Sequence, residues 1–346
     1  MRTIMARVWN GEAPMLRLFL FAPLFLLSGL YWLALAGRET LYRTGIMKTG
    51  KAAIPVISVG NISLGGTGKT TVVERLSRAL KERGFHPGIV MRGYKKKRTG
   101  AFAVDPKKDT ARSAGDEATM LARRTMLPVL VGKNRKEGIE RGIRDFGVDI
   151  ALFDDGYQVR NVRKSVEVLV LNAKAGKDST CLFPLGFLRE PPGAVRRADV
   201  VLINKGELAG SLKEKAAGIP AFHVRYRPLY LYSLKRQAMT DYRYLEGRKT
   251  LAFSGLGDNE SFFGLLRDLG ADLVRTVEFP DHHRYTREDL ERVMSYEEAE
   301  IFVTTEKDAV KIEGIEAGDN LFYLSIEAQI EDEARLVDLI LSKARA

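Results

Sequence analysis

The sequence predicts an α/β fold, a doubly wound parallel sheet, on three observations. Short apolar, β-branched runs alternate with helical patterns along much of the chain. The first such run leads at once into a glycine-rich loop and an amphipathic helix. Another ends in paired aspartates, and ligands of open α/β sheets bind at the carboxyl ends of strands. The 346 residues allow about two domains. The expected boundaries are 1–50 for an apolar helix and its lead-in, 51–220 for the core, 221–250 for an extended linker or hairpin, and 251–346 for a smaller α/β lobe. Hydrophobic residues at 45% and charged residues at 29% exclude wholesale disorder. A net charge of +11 favours anionic partners: phosphates, nucleic acid or an anionic lipid surface. The sole cysteine, Cys181, excludes an intrachain disulfide framework and a cysteine-clustered zinc site.

Residues 18–37 carry no charge, and as a helix they would be about 30 Å long, the thickness of a bilayer's hydrocarbon core. Arg2, Arg7 and Arg17 precede this run; Arg38, Arg43, Lys48 and Lys51 follow it. Tyr31 and Trp32 lie towards one end, as amphipathic aromatics do at a membrane interface. A secretory signal is one reading, with Ala34-Leu35-Ala36 as its small-x-small cleavage site. A buried core helix is another. A membrane-associated helix is the reading adopted, because the run exceeds a usual signal core and a nucleotide site follows it. Basic residues on both flanks give no orientation, so the helix either spans or dips into one leaflet with cations on anionic headgroups.

Residues 53–59 read as a buried parallel strand. Gly60-Asn61-Ile62-Ser63-Leu64-Gly65-Gly66-Thr67-Gly68-Lys69-Thr70 follows, then a helix with Val72, Val73, Leu76 and Leu80 on its apolar face. Strand, glycine-rich loop, Lys-Thr and helix are the context of a phosphate-binding P-loop. Backbone N–H groups from Ser63 to Gly68 would turn onto phosphates at a helix N-terminus. Lys69 would reach the β- and γ-phosphates, and the Thr70 hydroxyl would ligate Mg²⁺. Ser63 stands where the strict pattern has glycine, and the ordinary alternative is a chance glycine-rich turn.

The apolar run 146–153 ends in Asp154-Asp155-Gly156, and a carboxylate there holds Mg²⁺ in P-loop folds. The plain alternative is an Asp-Gly turn. Further strands are expected at 88–91, 127–131, 167–171, 199–203, 250–253 and 300–304, and helices at 116–124, 135–145, 259–269 and 327–345. Arg92, just after a strand, suits a phosphate contact. Asn204-Lys205-Gly206-Glu207 looks like a guanine-reading element, but no Asp-x-x-Gly switch accompanies it. Lys95, Lys96, Lys97 and Arg98 form a basic run without interleaved aromatics, so nucleic acid is not expected as a partner.

Read together, these segments resemble the tetraacyldisaccharide 4'-kinase family of lipid A biosynthesis. The resemblance is carried in order by Gly60-Asn61 with the loop to Thr70, Arg92-Gly93-Tyr94, Gly115-Asp116-Glu117 and Asp154-Asp155-Gly156-Tyr157-Gln158. Pro184-Leu185-Gly186-Phe187-Leu188-Arg189-Glu190-Pro191, Pro280-Asp281-His282-His283 and Thr305-Glu306-Lys307-Asp308-Ala309-Val310-Lys311 complete it. Departures are Thr71 for a usual Pro, Ala118 for Pro, Tyr157 for Phe and Val159 for His. The resemblance implies transfer of the ATP γ-phosphate to the 4'-hydroxyl of an acylated glucosamine disaccharide 1-phosphate, forming lipid IVA, at the cytoplasmic face of the inner membrane. It implies Asp116 as catalytic carboxylate with His282 as its partner and His283 in reserve. It also implies Glu190 beside Mg²⁺, Arg189 on phosphate and a site near Lys307 and Asp308. Without the family, Asp116 reads equally as a helix cap, and Arg189-Glu190 as a surface turn or ion-paired loop. Two rival functions remain: a membrane-tethered P-loop switch acting through partner binding, and a nucleic-acid-binding ATPase.

Overall fold

The computed structural model describes residues 14–92, 100–173, 181–315 and 318–345, with side chains from residue 21 onward. The expectations for Arg2, Arg7, Gly93, Tyr94 and the basic run from Lys95 to Arg98 lie outside the described residues, as does the side chain of Arg17.

Helix α1, Pro14–Arg43, opens the described chain. Then come β1 (Val56–Gly60), α2 (Lys69–Glu82), β2 (Pro87–Met91), β3 (Phe102–Ala103), α3 (Asp116–Thr125) and β4 (Val129–Val131). They are followed by α4 (Arg135–Phe146), β5 (Ile150–Asp154), β6 (Val166–Asn172), β7 (Val200–Asn204) and α5 (Gly210–Ala216). The long strand β8 (Ala221–Ser233) turns back into β9 (Ala238–Thr240), and β10 (Lys249–Ser254), α6 (Asn259–Asp268) and β11 (Asp272–Glu278) come next. Helix α7 (Arg287–Met294), β12 (Ile301–Thr305), α8 (Glu306–Ile312), β13 (Leu321–Ile330) and α9 (Glu333–Arg345) end it.

Two compact units are built from these elements, neither of them one contiguous stretch. The first takes the chain up to Lys69, Asp149–Arg225 and the chain from Ile330; the second takes Thr70–Val148 and Tyr226–Gln329. In the first unit β1 lies between β5 and β6, and β7 and the start of β8 extend the parallel ladder. Every residue of β1, β5 and β7 is buried, which is why each reads as an unbroken apolar run. Because these strands share one direction, the loop after β1 and the aspartates after β5 leave at the same edge.

Helix α1 belongs to this unit and touches it along a narrow stripe: Leu24 and Ser28 are buried, and Tyr31 partly so. Phe25, Leu26, Leu30 and Leu33 are each more than half exposed, so α1 is no buried core helix. Among the described residues it is the one helix long and apolar enough to cross a membrane.

In the second unit β2 pairs parallel with β4, and β3 runs antiparallel to β4. Strands β11, β10, β12 and β13 form a parallel ladder with apolar clusters centred on Phe263 and Phe253. The extended segment after residue 221 folds as an antiparallel pair of β8 and β9.

One expectation needs correction. Residues 327–330 are strand, not helix: Ala328 and Ile330 are buried in β13, and Asp332, left-handed at φ 51°, separates it from α9.

Candidate functional site

The phosphate loop is held from below by backbone pairing. Ser63 bridges Leu188, the Leu64 N–H donates to Phe187 O at 2.7 Å, and the Arg189 N–H donates to Ile62 O at 2.7 Å. Position 63 is therefore extended chain that a serine can occupy. The left-handed turns fall instead at Gly65 and Gly68, with φ of 98° and 77°, where a side chain would be strained. Leu64, Gly65 and Gly66 are exposed, whereas Thr67 is buried and its Oγ1 accepts from Asn61 Nδ2 at 3.0 Å. Lys69 and Thr70 open α2, where the helix's unpaired N–H groups favour anions.

Around this loop the first unit gathers charge. Lys69 Nζ lies 3.7 Å from Asp155, and Arg189 Nη1 donates to Asp155 at 2.9 Å and to Asn61 Oδ1 at 3.3 Å. Asp155 is itself left-handed at φ 51°, an uncommon backbone that tends to persist at functional sites. Asp154 is buried at the end of β5. Glu190 is buried too; Arg197 Nη1 donates to one of its oxygens at 2.6 Å, and the other has no hydrogen-bond partner among the described residues. So Arg189 and Glu190 form an ion-paired loop. The extra hydroxyl of Tyr157 is accommodated: it donates to Ala194 O at 2.5 Å, and burial pushes the phenol's pKa up. Helix α1 reaches the same loop, with Tyr31 Oη donating to Arg189 O at 2.8 Å and Ser28 Oγ to Leu182 O at 3.0 Å.

The second unit holds the carboxylate–imidazole pair. Asp116 is the first residue of α3, not its cap. Gly115 takes the cap position at φ 102° and ψ 148°, a conformation open to glycine, and no side chain caps the helix. His282 Nδ1 lies 2.9 Å from Asp116 Oδ2. Lys307, one residue into α8, meets Glu117 at 3.0 Å and Asp281 at 3.6 Å, and Asp281 lies 3.8 Å from His282 Nε2. Burial pushes the Asp116 carboxyl up, but the hydrogen bond from His282 and the charges of Lys307, His282 and Lys311 outweigh it and hold the pKa at about 2. Burial likewise pulls the Lys307 ammonium down, and Glu117, Asp116 and Asp281 more than restore it. His283 turns elsewhere, its Nε2 lying 2.8 Å from Asp289 Oδ2. Arg92 follows β2 and is exposed.

Asn61 and Asp281 belong to the segments that carry the resemblance but have no role of their own there, and Asp289 lies outside those segments. For a metal, Thr70, Asp154, Asp155 and Glu190 offer hard oxygen donors, the kind Mg²⁺ takes. Among the described residues no three His, Cys, Asp or Glu cluster as a cage. The buried, unpartnered oxygen of Glu190 fits a nearby cation.

A parallel sheet whose first strand passes through a glycine-rich turn into a Lys-Thr helix defines a P-loop nucleotide-binding protein. The profile described as Tetraacyldisaccharide-1-P 4'-kinase matches residues 20–345, and the chain belongs to that kinase family. It is 33% identical to the tetraacyldisaccharide 4'-kinase of Syntrophus aciditrophicus over 362 residues, covering 97% of this chain and 96% of that one. Against the Aquifex aeolicus enzyme of the same name the identity is 35% over 319 residues, covering 90% and 96%. A crystal structure of LpxK from Aquifex aeolicus in complex with ATP superposes with a TM-score of 0.77 at 32% identity, covering 95% of this chain and 99% of that one.

Proposed function

We infer that the chain transfers the γ-phosphate of ATP to the 4'-hydroxyl of a membrane-held tetraacyldisaccharide 1-phosphate, giving lipid IVA, at the cytoplasmic face of the inner membrane. The observation that carries the chemical reading is the Asp116–His282 pair, a buried carboxylate 2.9 Å from an imidazole. With Nδ1–H given to Asp116, the Nε2 of His282 carries the lone pair and takes the hydroxyl proton as the oxygen attacks the γ-phosphorus. The bond from the γ-phosphorus to the β-bridging oxygen breaks and ADP leaves with that electron pair. Asp116, ionised, keeps the tautomer and stabilises the imidazolium that forms.

Lys69 and the N–H groups of residues 63–68 neutralise the phosphates, with Arg189 and Arg92 as further phosphate contacts. Thr70, Asp154, Asp155 and Glu190 are the residues proposed to hold Mg²⁺, which when bound offsets charge on the β- and γ-oxygens. The exposed apolar side chains of α1 support seating at the lipid surface where the acceptor resides.

Incubation with γ-labelled ATP, Mg²⁺ and the disaccharide acceptor in vesicles tests this reading. Label should appear in the lipid. Release of free phosphate with the lipid unlabelled would overturn it in favour of a membrane-tethered switch.

A further inference from the structure

We propose that the second carboxylate–imidazole pair, His283 with Asp289, positions His282 against Asp116, so that His283 is a positioning residue for phosphoryl transfer. The inference rests on the reading of His282 as the proton acceptor.

His282 is left-handed, with φ 57°, in a tight turn closed by the His283 N–H donating to Pro280 O at 2.9 Å. A non-glycine residue holds that backbone only where the surroundings impose it. The neighbour that does so is the next residue along. The ring of His283 stacks on Phe279 at 4.7 Å and meets the edge of Tyr285 at 5.1 Å. Its Nε2 is tied to Asp289 at 2.8 Å. Behind the turn there is little room: a Cβ on Gly255 would stand 3.1 Å from Pro280 O and 3.4 Å from His283 Cβ.

Asp289 is a firm anchor. Its carboxylate also accepts from the Thr286 N–H at 3.1 Å, its own N–H donates to Thr286 Oγ1 at 3.2 Å, and Arg292 lies 3.1 Å from its second oxygen. This capping box fixes the start of α7, and α7 sinks Leu290 and Val293 into the apolar cluster around Phe253. A rigid helix end thus holds one imidazole, and one peptide link farther on the other imidazole is delivered at hydrogen-bond distance from Asp116. Adjacent histidines facing different carboxylates divide the work: His283 anchors the turn through Asp289 and the rings of Phe279 and Tyr285, and His282, on the strained backbone, meets the substrate.

A double-mutant cycle in the full chain tests this with kinase kinetics and ¹⁵N–¹H spectra of the histidine rings. His283→Leu keeps the apolar bulk and removes the tie. It should lower kcat about 10-fold or more with the KM for ATP nearly unchanged, the pattern of a misplaced catalytic group. His283→Gln, whose amide can still donate to Asp289, should recover most of that loss. In a His282→Ala background, His283→Leu should cost nothing further, because the group it positions is gone. The ring N–H of His282 bonded to Asp116 should shift or vanish in His283→Leu and persist in His283→Gln. Wild-type kcat in folded His283→Leu, or a loss that adds in full to that of His282→Ala, would overturn the proposal. If His282→Ala itself keeps turnover, the reading of His282 falls, and the ring N–H signal decides the positioning alone: unchanged in His283→Leu, it overturns it. Should His283→Leu not fold, Asp289→Asn asks the same question of the other partner.

Discussion

Asp116 is held ionised against its own burial, and the sign of that balance sets what acid should do. Its folded pKa of about 2 lies below the ordinary value of about 3.9, so its contribution to stability is present above about pH 4. It is lost as the pH falls through about 2, and it amounts to about 2 kcal/mol. Carbon-detected titration of the Asp116 carboxyl should give a midpoint near 2. In His282→Ala that midpoint should rise, because burial is then opposed chiefly by Lys307 and Lys311; an unmoved midpoint would show that the pair is not formed in solution. The same reasoning makes Asp116→Ala and His282→Ala lower kcat by ~100-fold or more, the scale of a positioned proton acceptor. Steady-state turnover of folded variants measures it. The loop from Gly60 to Thr70 was legible in the sequence because its geometry is imposed by local glycine spacing. Asp116 and His282 are 166 positions apart, so no local pattern pairs them, and the family resemblance alone placed them together.

Between elements, the decisive connection in the second unit is Arg124 at the end of α3. Its Nε lies 2.9 Å from Glu74 of α2, its Nη1 2.7 Å from Glu306 at the start of α8, and its Nη2 2.9 Å from Ile326 O in β13. All three charged side chains are nearly buried, and Glu306 immediately precedes Lys307 in the charge cluster around Asp116. Arg124→Ala leaves the nearly buried Glu306 without its cation and Glu74 with only the half-exposed Arg78 at 3.0 Å, at a cost of about 3 kcal/mol. A thermal midpoint lowered by several degrees is expected, and Arg124→Lys should recover little, since one ammonium cannot reproduce the planar fork. A midpoint within a degree of wild type would argue that the network contributes nothing net. Legibility at this scale follows burial. β1, β5 and β7 stood out because both faces are covered, whereas β11 did not because Asp272, Arg275 and Glu278 lie exposed on a strand that, among the described residues, pairs with β10 alone. The four residues of β13 absorbed into the expected helix have buried Ala328 and Ile330 at a spacing that runs on into the apolar positions of α9.

For the whole molecule, the surplus of positive charge and the apolar face of α1 act over different ranges, and salt separates them. Attraction of a net charge of +11 to anionic lipid is screened beyond about 8 Å at physiological ionic strength and about 3 Å at 1 M. Transfer of apolar side chains from water is not screened, and each Leu or Phe fully buried contributes about 1.5–3 kcal/mol. On the proposed seating, Phe25, Leu26, Leu30 and Leu33, each more than half exposed, would hold the protein to a bilayer when charge is neutralised. Wild-type protein should sediment with phosphatidylglycerol vesicles at both ionic strengths, and with neutral phosphatidylcholine vesicles somewhat less. A Leu26→Glu, Leu30→Glu double variant, altered only on the exposed face, should come off at 1 M salt and bind weakly at low salt. Tyr31→Phe, which removes the hydrogen bond to Arg189 O and leaves the lipid face intact, should sediment as wild type does. If the double glutamate variant stayed bound at 1 M salt, α1 would not be the element that meets the membrane.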